Sequence, residues 1–532
     1  MTPAGSFSEH DLETRPQDVS ALPLLAAEPL GLDLTPGPVP IAATAGLGSV
    51  RTILRNSTLN LAAQGVNALG NLMVVFVLGH GPSKQAMGEY WTLFALITAV
   101  QLVCEAGLST LLTSRIAQDP RRWREIVVSG SGLFALVVLL SFLALFGLGA
   151  AWAAWKGHWD VLPAFIAAAV TCGAIQTQRF CAGVFRAFDQ FGNENIGRML
   201  QGTLFAGLVI GLAAAGWVSV FALASMLAVS HVVAAAYFLI AFERRYRCLQ
   251  LSFNRVDARA WLAEAVPLGF GDVVRQLTWQ LDTLLLGLLQ PAWVVGVYSV
   301  AYRPLGPLNW LPRTVLTAAF PAFSRMAVGD RDELERSFAN STRLLWIISL
   351  PLAIIICACA EPMIVFLAGE KYLEAATPMR ILIWVTSVSF LSIQFRFLFA
   401  AVGRQRLFAQ IVAATFVLQV LLEFSLIPWF GYFGACAGTV IGEVLFTAGG
   451  LFACHRLGMT GIPWRALARA LIAGGAMGGV LYLAQQGPLS LLLAALIPAT
   501  LLYLALCIAL RALRWSEVEH MFDMLRHLRR RK

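Results

Sequence analysis

Charge is what this sequence has least of. Only 13% of its 532 residues are Asp, Glu, Lys or Arg, against 58% hydrophobic residues, where soluble domains carry about a quarter charged residues. Mean hydropathy is +0.71. A soluble globular enzyme is thereby excluded, and the class that remains is an all-α polytopic membrane protein. No Walker A pattern occurs and no long polar segment interrupts the apolar runs, so no ATPase is built in. Nine cysteines (104, 172, 181, 248, 357, 359, 436, 454 and 507) lie mostly in apolar runs without C-x-x-C spacing. They read as small buried hydrophobes, not as a disulfide frame or metal ligands. Neither a cofactor nor a metal is expected. Residues 1–50 contain EHDLETRPQD and LTPGPVP but no basic stretch ahead of an apolar core. They read as a disordered cytoplasmic tail, not a signal peptide.

The formal net charge of +9 would suggest nucleic acid in a soluble chain. Here the arginines flank apolar spans, so the bias reports topology, not nucleic acid. At roughly 20 apolar residues per span, about fourteen helices fit, from 54–78 and 88–113 to 467–485 and 489–511. With a cytoplasmic N-terminus, the outer connections hold little beyond Lys84, Lys156 and Lys371. The inner ones hold Arg115, Arg121, Arg122, Arg124, Arg186, Arg244, Arg245, Arg247, Arg255, Arg259, Arg325, Arg331, Arg336, Arg404, Arg406, Arg456 and Arg465. The alternation places both termini of a multi-pass membrane protein in the cytoplasm.

The hairpin from Trp261 to Arg325 stands apart. It carries Asp272, Arg275, Asp282, Arg303 and Arg313 within two apolar runs. Five such groups facing lipid would cost on the order of 12–17 kcal/mol, so they face protein or a wet cavity. Asp282 and Arg303 lie about 10 and 15 Å from the turn at Pro291, which suits them to an ion pair, structural or functional. Asp272, three residues from Arg275, is placed to neutralise it. Arg275 sits mid-span near Pro267 and Gly269-Phe270-Gly271, and Arg suits phosphate recognition.

Polar stripes recur elsewhere. Asn60, Gln64, Asn67 and Asn71 share one face of the first helix, and Thr98, Gln101, Glu105 and Ser109 one face of the second. Four amides in register read as cavity lining. Glu105, Glu423 and Glu443 stand mid-helix in apolar surroundings, either hydrogen-bonded and neutral or coupled to H⁺ or Na⁺.

A repeat is also visible. Leu78-Gly79, Gly88 and Tyr90 recur with the same spacing as Leu286-Gly287, Gly296 and Tyr298, which points to two related lobes with a site between them. The expected organisation is an N-lobe at 51–242, a cytoplasmic amphipathic linker at 243–260 and a C-lobe at 261–458. Two further helices follow at 459–514, then a basic amphipathic tail at 515–532 that suits an anionic lipid surface. At the repeat offset Asn67 falls on Arg275 and Glu105 on Arg313, which puts the cationic side in the second lobe.

The stretch from LDTLLLG through VGVYSVAYR to FPAFSR resembles the seventh and eighth helices of polysaccharide-biosynthesis membrane proteins. These are the Wzx-type flippases of the multidrug/oligosaccharidyl-lipid/polysaccharide exporter superfamily. GEYWTLFALITAV with EAGLSTLLTSRIA, and LIPWFGYFGACAGTVIGE, carry the likeness across residues 54–458. The resemblance implies two six-helix lobes in a V around a central cavity. It also implies transport of undecaprenyl-pyrophosphate-linked oligosaccharide by alternating access, without covalent chemistry, for cell-surface or secreted polysaccharide. Membrane lipids surround such a protein, and a polysaccharide polymerase and glycosyltransferases are the partners it implies. Two rivals stand beside this reading: a cation-coupled multidrug or small-solute antiporter of the same superfamily, and a membrane scaffold for glycosyltransferases.

Overall fold

The computed structural model describes residues 50–513 apart from 82, 158, 249, 460 and 462, all within the unit Pro40–Lys532. The N-terminal tail before Val50 and the basic tail at 515–532 lie outside the described residues. No strand occurs among them. The first lobe comprises α1 (Val50–His80), α2 (Lys84–Glu105), α3 (Leu108–Gln118), α4 (Trp123–Lys156), α5 (Leu162–Ala187), α6 (Phe191–Ala214) and α7 (Val220–Tyr246). The second begins with α8 (Arg255–Leu289), α9 (Ala292–Tyr302), a 3₁₀ segment at Arg303–Asn309 and α10 (Trp310–Gly329). It continues through α11 (Arg331–Ala358), α12 (Ala360–Ala368), α13 (Ala376–Ser392), α14 (Gln394–Ala401), α15 (Gln405–Phe430) and α16 (Tyr432–Arg456). Helices α17 (Trp464–Gln485) and α18 (Leu489–Ala509) complete the chain.

Twelve helical stretches among the described residues are long and apolar enough to cross a membrane. The expected fourteen exceeds this by the two arms of the charged hairpin. Their charges lower the hydropathy, although α8 at 35 residues extends about 52 Å, beyond the ~30 Å of a bilayer core. Several expected spans are broken. The second is split at Ala106 and Gly107, whose φ values of 46° and 86° lie in the left-handed region. The eighth is interrupted by the 3₁₀ segment, where Pro304 and Pro307 remove two backbone donors.

Of the expected amphipathic linker at 243–260, the ends belong to α7 and α8, and no helix forms in the described residues 247–254 between them. The Ser131 hydroxyl donates to Gln250 O at 2.8 Å and accepts from Ser252 N at 3.2 Å, while Gly132 N donates to Ser252 O at 3.1 Å. The segment is thus bonded to α4. A side chain at Gly132 would strike Phe253 at 2.8 Å.

The repeated motif explains how the lobes join. Gly88 of α2 and Gly296 of α9 face each other so closely that a Cβ on Gly88 would lie 3.0 Å from Gly296 N. Tyr90 and Tyr298 are both fully buried beside them. A continuous apolar core here runs from Val74, Met87 and Trp91 through Val295, Val297 and Ile364 to Met379 and Ile427, crossing both lobes. At the other end, where the arginine-rich loops gather, the core divides. One cluster holds Leu112, Val127, Phe185 and Phe242 with Trp261 and Ala265 of α8. Another holds Phe338, Phe395, Phe399 and Phe446 with Val274 of α8. Helix α8 therefore belongs to the first lobe before Pro267 and to the second after it. Helices α17 and α18 pack on α11 through Ile347, Leu350, Ala473, Met477 and Tyr503.

A Gly88→Val substitution should damage this joint. Overpacking of this kind costs about 1–3 kcal/mol, so a clear drop in the melting temperature of detergent-purified protein is expected. Gly207→Ala is the control, because nothing lies within 4 Å of a Cβ there, and it should melt no lower than the parent.

Candidate functional site

Two polar chambers lie inside the helical body, one per lobe. The larger, of about 330 Å³, is in the first lobe and is lined by Asn67, Asn71, Gln101, Gln178, Gln201, His231 and three arginines, Arg179, Arg186 and Arg198. Helix α5 supplies Arg179 and Arg186, one below the other on a helical face, and α6 supplies Arg198 and Gln201. Glu105, at the last turn of α2, pairs with Arg179 and accepts a hydrogen bond from Ser109. Glu194 binds the other two, Arg198 at 2.6 Å and Arg186 at 3.5 Å. Three guanidinium groups thus share two carboxylates. The amides around them, with Gln178 donating to His231 O at 2.8 Å, supply further donors and acceptors. The chamber thus presents guanidinium and amide donors together with amide and carboxylate acceptors.

The second chamber is small, about 30 Å³, and is lined by Arg275, Thr278, Trp279, Asp282, Tyr302, Thr386, Ser389, Gln419, Thr439 and Glu443. Arg275 Nη2 donates to both Glu443 oxygens, at 3.0 and 3.2 Å, and its guanidinium lies 4.2 Å over the Phe446 ring. Ser392 also donates to Glu443. Deeper in, Tyr298 donates to Asp282. The Gln419 amide donates to Glu423 at 2.6 Å and to Asp282 at 3.3 Å. Asp282 and Glu423 are both buried and share this bond system with no arginine, and Glu423 Oε2 has no donor.

The structure regroups the residues singled out in the sequence. Asn67, Asn71 and Gln101 meet in the first chamber, with Glu105 on its arginine. Asn60 is exposed and Gln64 half-buried nearer the start of α1, and neither lines a chamber. Arg275, Asp282 and Glu443 meet in the second, with Glu423 against it. Arg275 is neutralised by Glu443 of α16, not by Asp272, which accepts from Arg396 at 2.8 Å nearer the basic end.

Asp282 and Arg303 do not pair. The 3₁₀ segment beginning at Arg303 directs that guanidinium onto α2, 4.1 Å over Trp91 and 5.3 Å over Phe94. Its Nε and Nη2 have no hydrogen-bond partner. Arg313 is exposed on α10.

The expected cationic bias of the second lobe is overturned, since the larger arginine-lined chamber is in the first. Arg179 and Arg198 were legible as charges within apolar runs, the same signal that marked the hairpin.

The chain is similar in fold to a solved structure titled "Lipid II flippase MurJ, inward closed conformation". The TM-score is 0.69 at 14% identity, covering 84% of this chain and 97% of that one. An inward-facing multidrug resistance MATE family transporter of the MOP superfamily gives a TM-score of 0.61 at 16% identity, covering 74% and 95%.

The family described as polysaccharide biosynthesis protein matches residues 53–327, and MatE matches 267–425. The chain belongs to the polysaccharide biosynthesis protein family. Curated relatives include the teichuronic acid biosynthesis protein TuaB of Bacillus subtilis (strain 168), 28% identical over 111 residues, and the probable flippase AglR of Haloferax volcanii, 23% identical over 220 residues. The matches cover 21% and 40% of this chain and span 23% and 46% of those relatives' lengths.

Breaking the Arg275–Glu443 pair from one side leaves a largely buried charge. Glu443→Gln should therefore destabilise the protein by about 3–5 kcal/mol. The double replacement Arg275→Met with Glu443→Met should recover most of the loss, read as denaturation midpoints.

Proposed function

We propose that the protein is a flippase that carries a lipid-linked oligosaccharide, of the undecaprenyl-pyrophosphate type, across the cytoplasmic membrane by alternating access. The observation that carries this reading is the arginine- and amide-lined chamber of the first lobe in a member of a polysaccharide biosynthesis family. Arg179, Arg186 and Arg198 suit phosphate or acidic-sugar oxygens, and Asn67, Asn71, Gln101 and Gln201 suit sugar hydroxyls. Arg303, stacked on Trp91 and lacking hydrogen-bond partners on two nitrogens, is a second anion-seeking group between the lobes. All these groups bind and orient; no bond is made or broken.

The path is read as two halves. The arginine-rich loops mark the cytoplasmic side, and the charged hairpin α8–α10 completes fourteen crossings with the twelve apolar ones. The divided core at the basic end is the side from which a cytoplasmic substrate enters. The shared core at the opposite end must separate for release. Asp282 and Glu423 form the coupling site, taking up H⁺ or Na⁺ as the lobes change partners. A drug antiporter of the same superfamily fits the second chamber, but three arginines in the larger one disfavour a cationic drug.

The test is flipping of a labelled undecaprenyl-pyrophosphate glycan in proteoliposomes with pH and Na⁺ gradients varied. Transport driven by one of them is expected, and folded protein that moves no glycan under any gradient would refute the reading. Charge-assisted bonds contribute about 1.5–3 kcal/mol each, so Arg198→Ala should raise the half-saturating glycan concentration about 10–100-fold. Asp282→Asn should keep downhill exchange and lose the response to the driving gradient.

A further inference from the structure

The carboxylate that holds Arg179 also stands beside the weakest point of α2. Immediately after Glu105 the helix breaks at Ala106 and Gly107 and restarts as α3. The break is where the lobes touch at the basic end. A Cβ on Gly107 would lie 2.8 Å from Gly269 Cα of α8, and one on Gly269 2.6 Å from Gly107 Cα. On the first-lobe part of α8, just before that contact, Glu264 pairs with Arg115 of α3, which lies 4.4 Å over the Trp261 ring. Ser109, on the first turn of α3, donates to Glu105 across the break. A single carboxylate therefore ties three things together: the chamber arginine, the end of α2 and the start of α3.

We propose that Glu105 is the resident anion of the first-lobe chamber. An incoming phosphate or carboxylate group takes its place on Arg179, and its release loosens the α2–α3 break that holds the basic end shut. The proposal rests on the chamber receiving the anionic part of the substrate. It adds that the chamber is already occupied by a side chain whose displacement reports arrival. Glu105 then loses its arginine while keeping Ser109, so the strain of an unpaired buried carboxylate falls on the left-handed residues 106 and 107. Glu194 offers an internal contrast. It binds the other two arginines from α6, which packs on α1, α5 and α7.

The experiment uses full-length protein in nanodiscs, with hydrogen exchange of the α3 peptide Leu108–Gln118 and calorimetric binding of inorganic pyrophosphate and of glucuronate as separate arms. Without ligand, Glu105→Gln and Arg179→Gln should each raise α3 exchange about tenfold, while Glu194→Gln leaves it at the parental rate. Binding should split the first pair. Glu105→Gln takes the anion at least about tenfold more tightly than the parent, and Arg179→Gln at least about tenfold more weakly. Tighter pyrophosphate identifies the lipid's phosphates as the displacing group, and tighter glucuronate an acidic sugar; either supports the displacement.

Parental α3 exchange in Glu105→Gln, or an equal rise in Glu194→Gln, overturns the switch even where binding is intact. Absence of anion binding in every variant overturns the chamber's role as an anion site and the displacement with it. Because the two principal variants remove opposite ends of one pair, a folding defect in one leaves the other to decide.

Discussion

An ionised group far from water must be held by an opposite charge or by several hydrogen bonds, and the interior of this protein is arranged around that requirement. Glu105 takes Arg179, Glu194 takes Arg186 and Arg198, and Glu443 takes Arg275. Each pairing stays within one lobe, so the lobes can move against each other without stranding these charges. Lys84–Glu374, a pair that does cross the joint, is part-exposed, where water can replace the lost partner at little cost.

The joint itself is made of backbone. Gly88 against Gly296, and Gly107 against Gly269, bring main chains together where no side chain fits. Dispersion over such close surfaces is substantial. The first contact lies within a core that runs through both lobes, and the second lies between separate cores. The two ends therefore differ in what must be exposed when they part.

Much of this was legible in the sequence because it follows from local pattern. Low charge marked the membrane class, and the Gly88 and Gly296 motifs announced two lobes although not that the motifs touch. The amide register of Asn67 and Asn71 pointed to a chamber, while Asn60 and Gln64 continued the same stripe beyond it, since helical periodicity has no end marker. Ion partners were the least legible. Sequence proximity favoured Asp272 for Arg275, but α16, distant in sequence, brings Glu443 closer. Arg303 was matched with Asp282 by depth alone, and depth does not reveal that a 3₁₀ turn rotates the side chain toward α2. Arg179 and Arg198 show that a single charge within an apolar run is as informative as a cluster of five.

Helix α8 carries one last implication. Trp261 and Ala265 are set in the first lobe's core, whereas Val274 belongs with the second's, and residues 250–252 are bonded to α4 just before it begins. A stiff rod cannot stay seated in two bodies that separate. Any parting of the lobes at the basic end must be absorbed between Ala265 and Val274, where Pro267 lacks a backbone donor and Gly269 and Gly271 carry no side chains. The span that looked most anomalous for its charges is thus also the fulcrum, and the stiffness of those few residues sets how wide the protein can open.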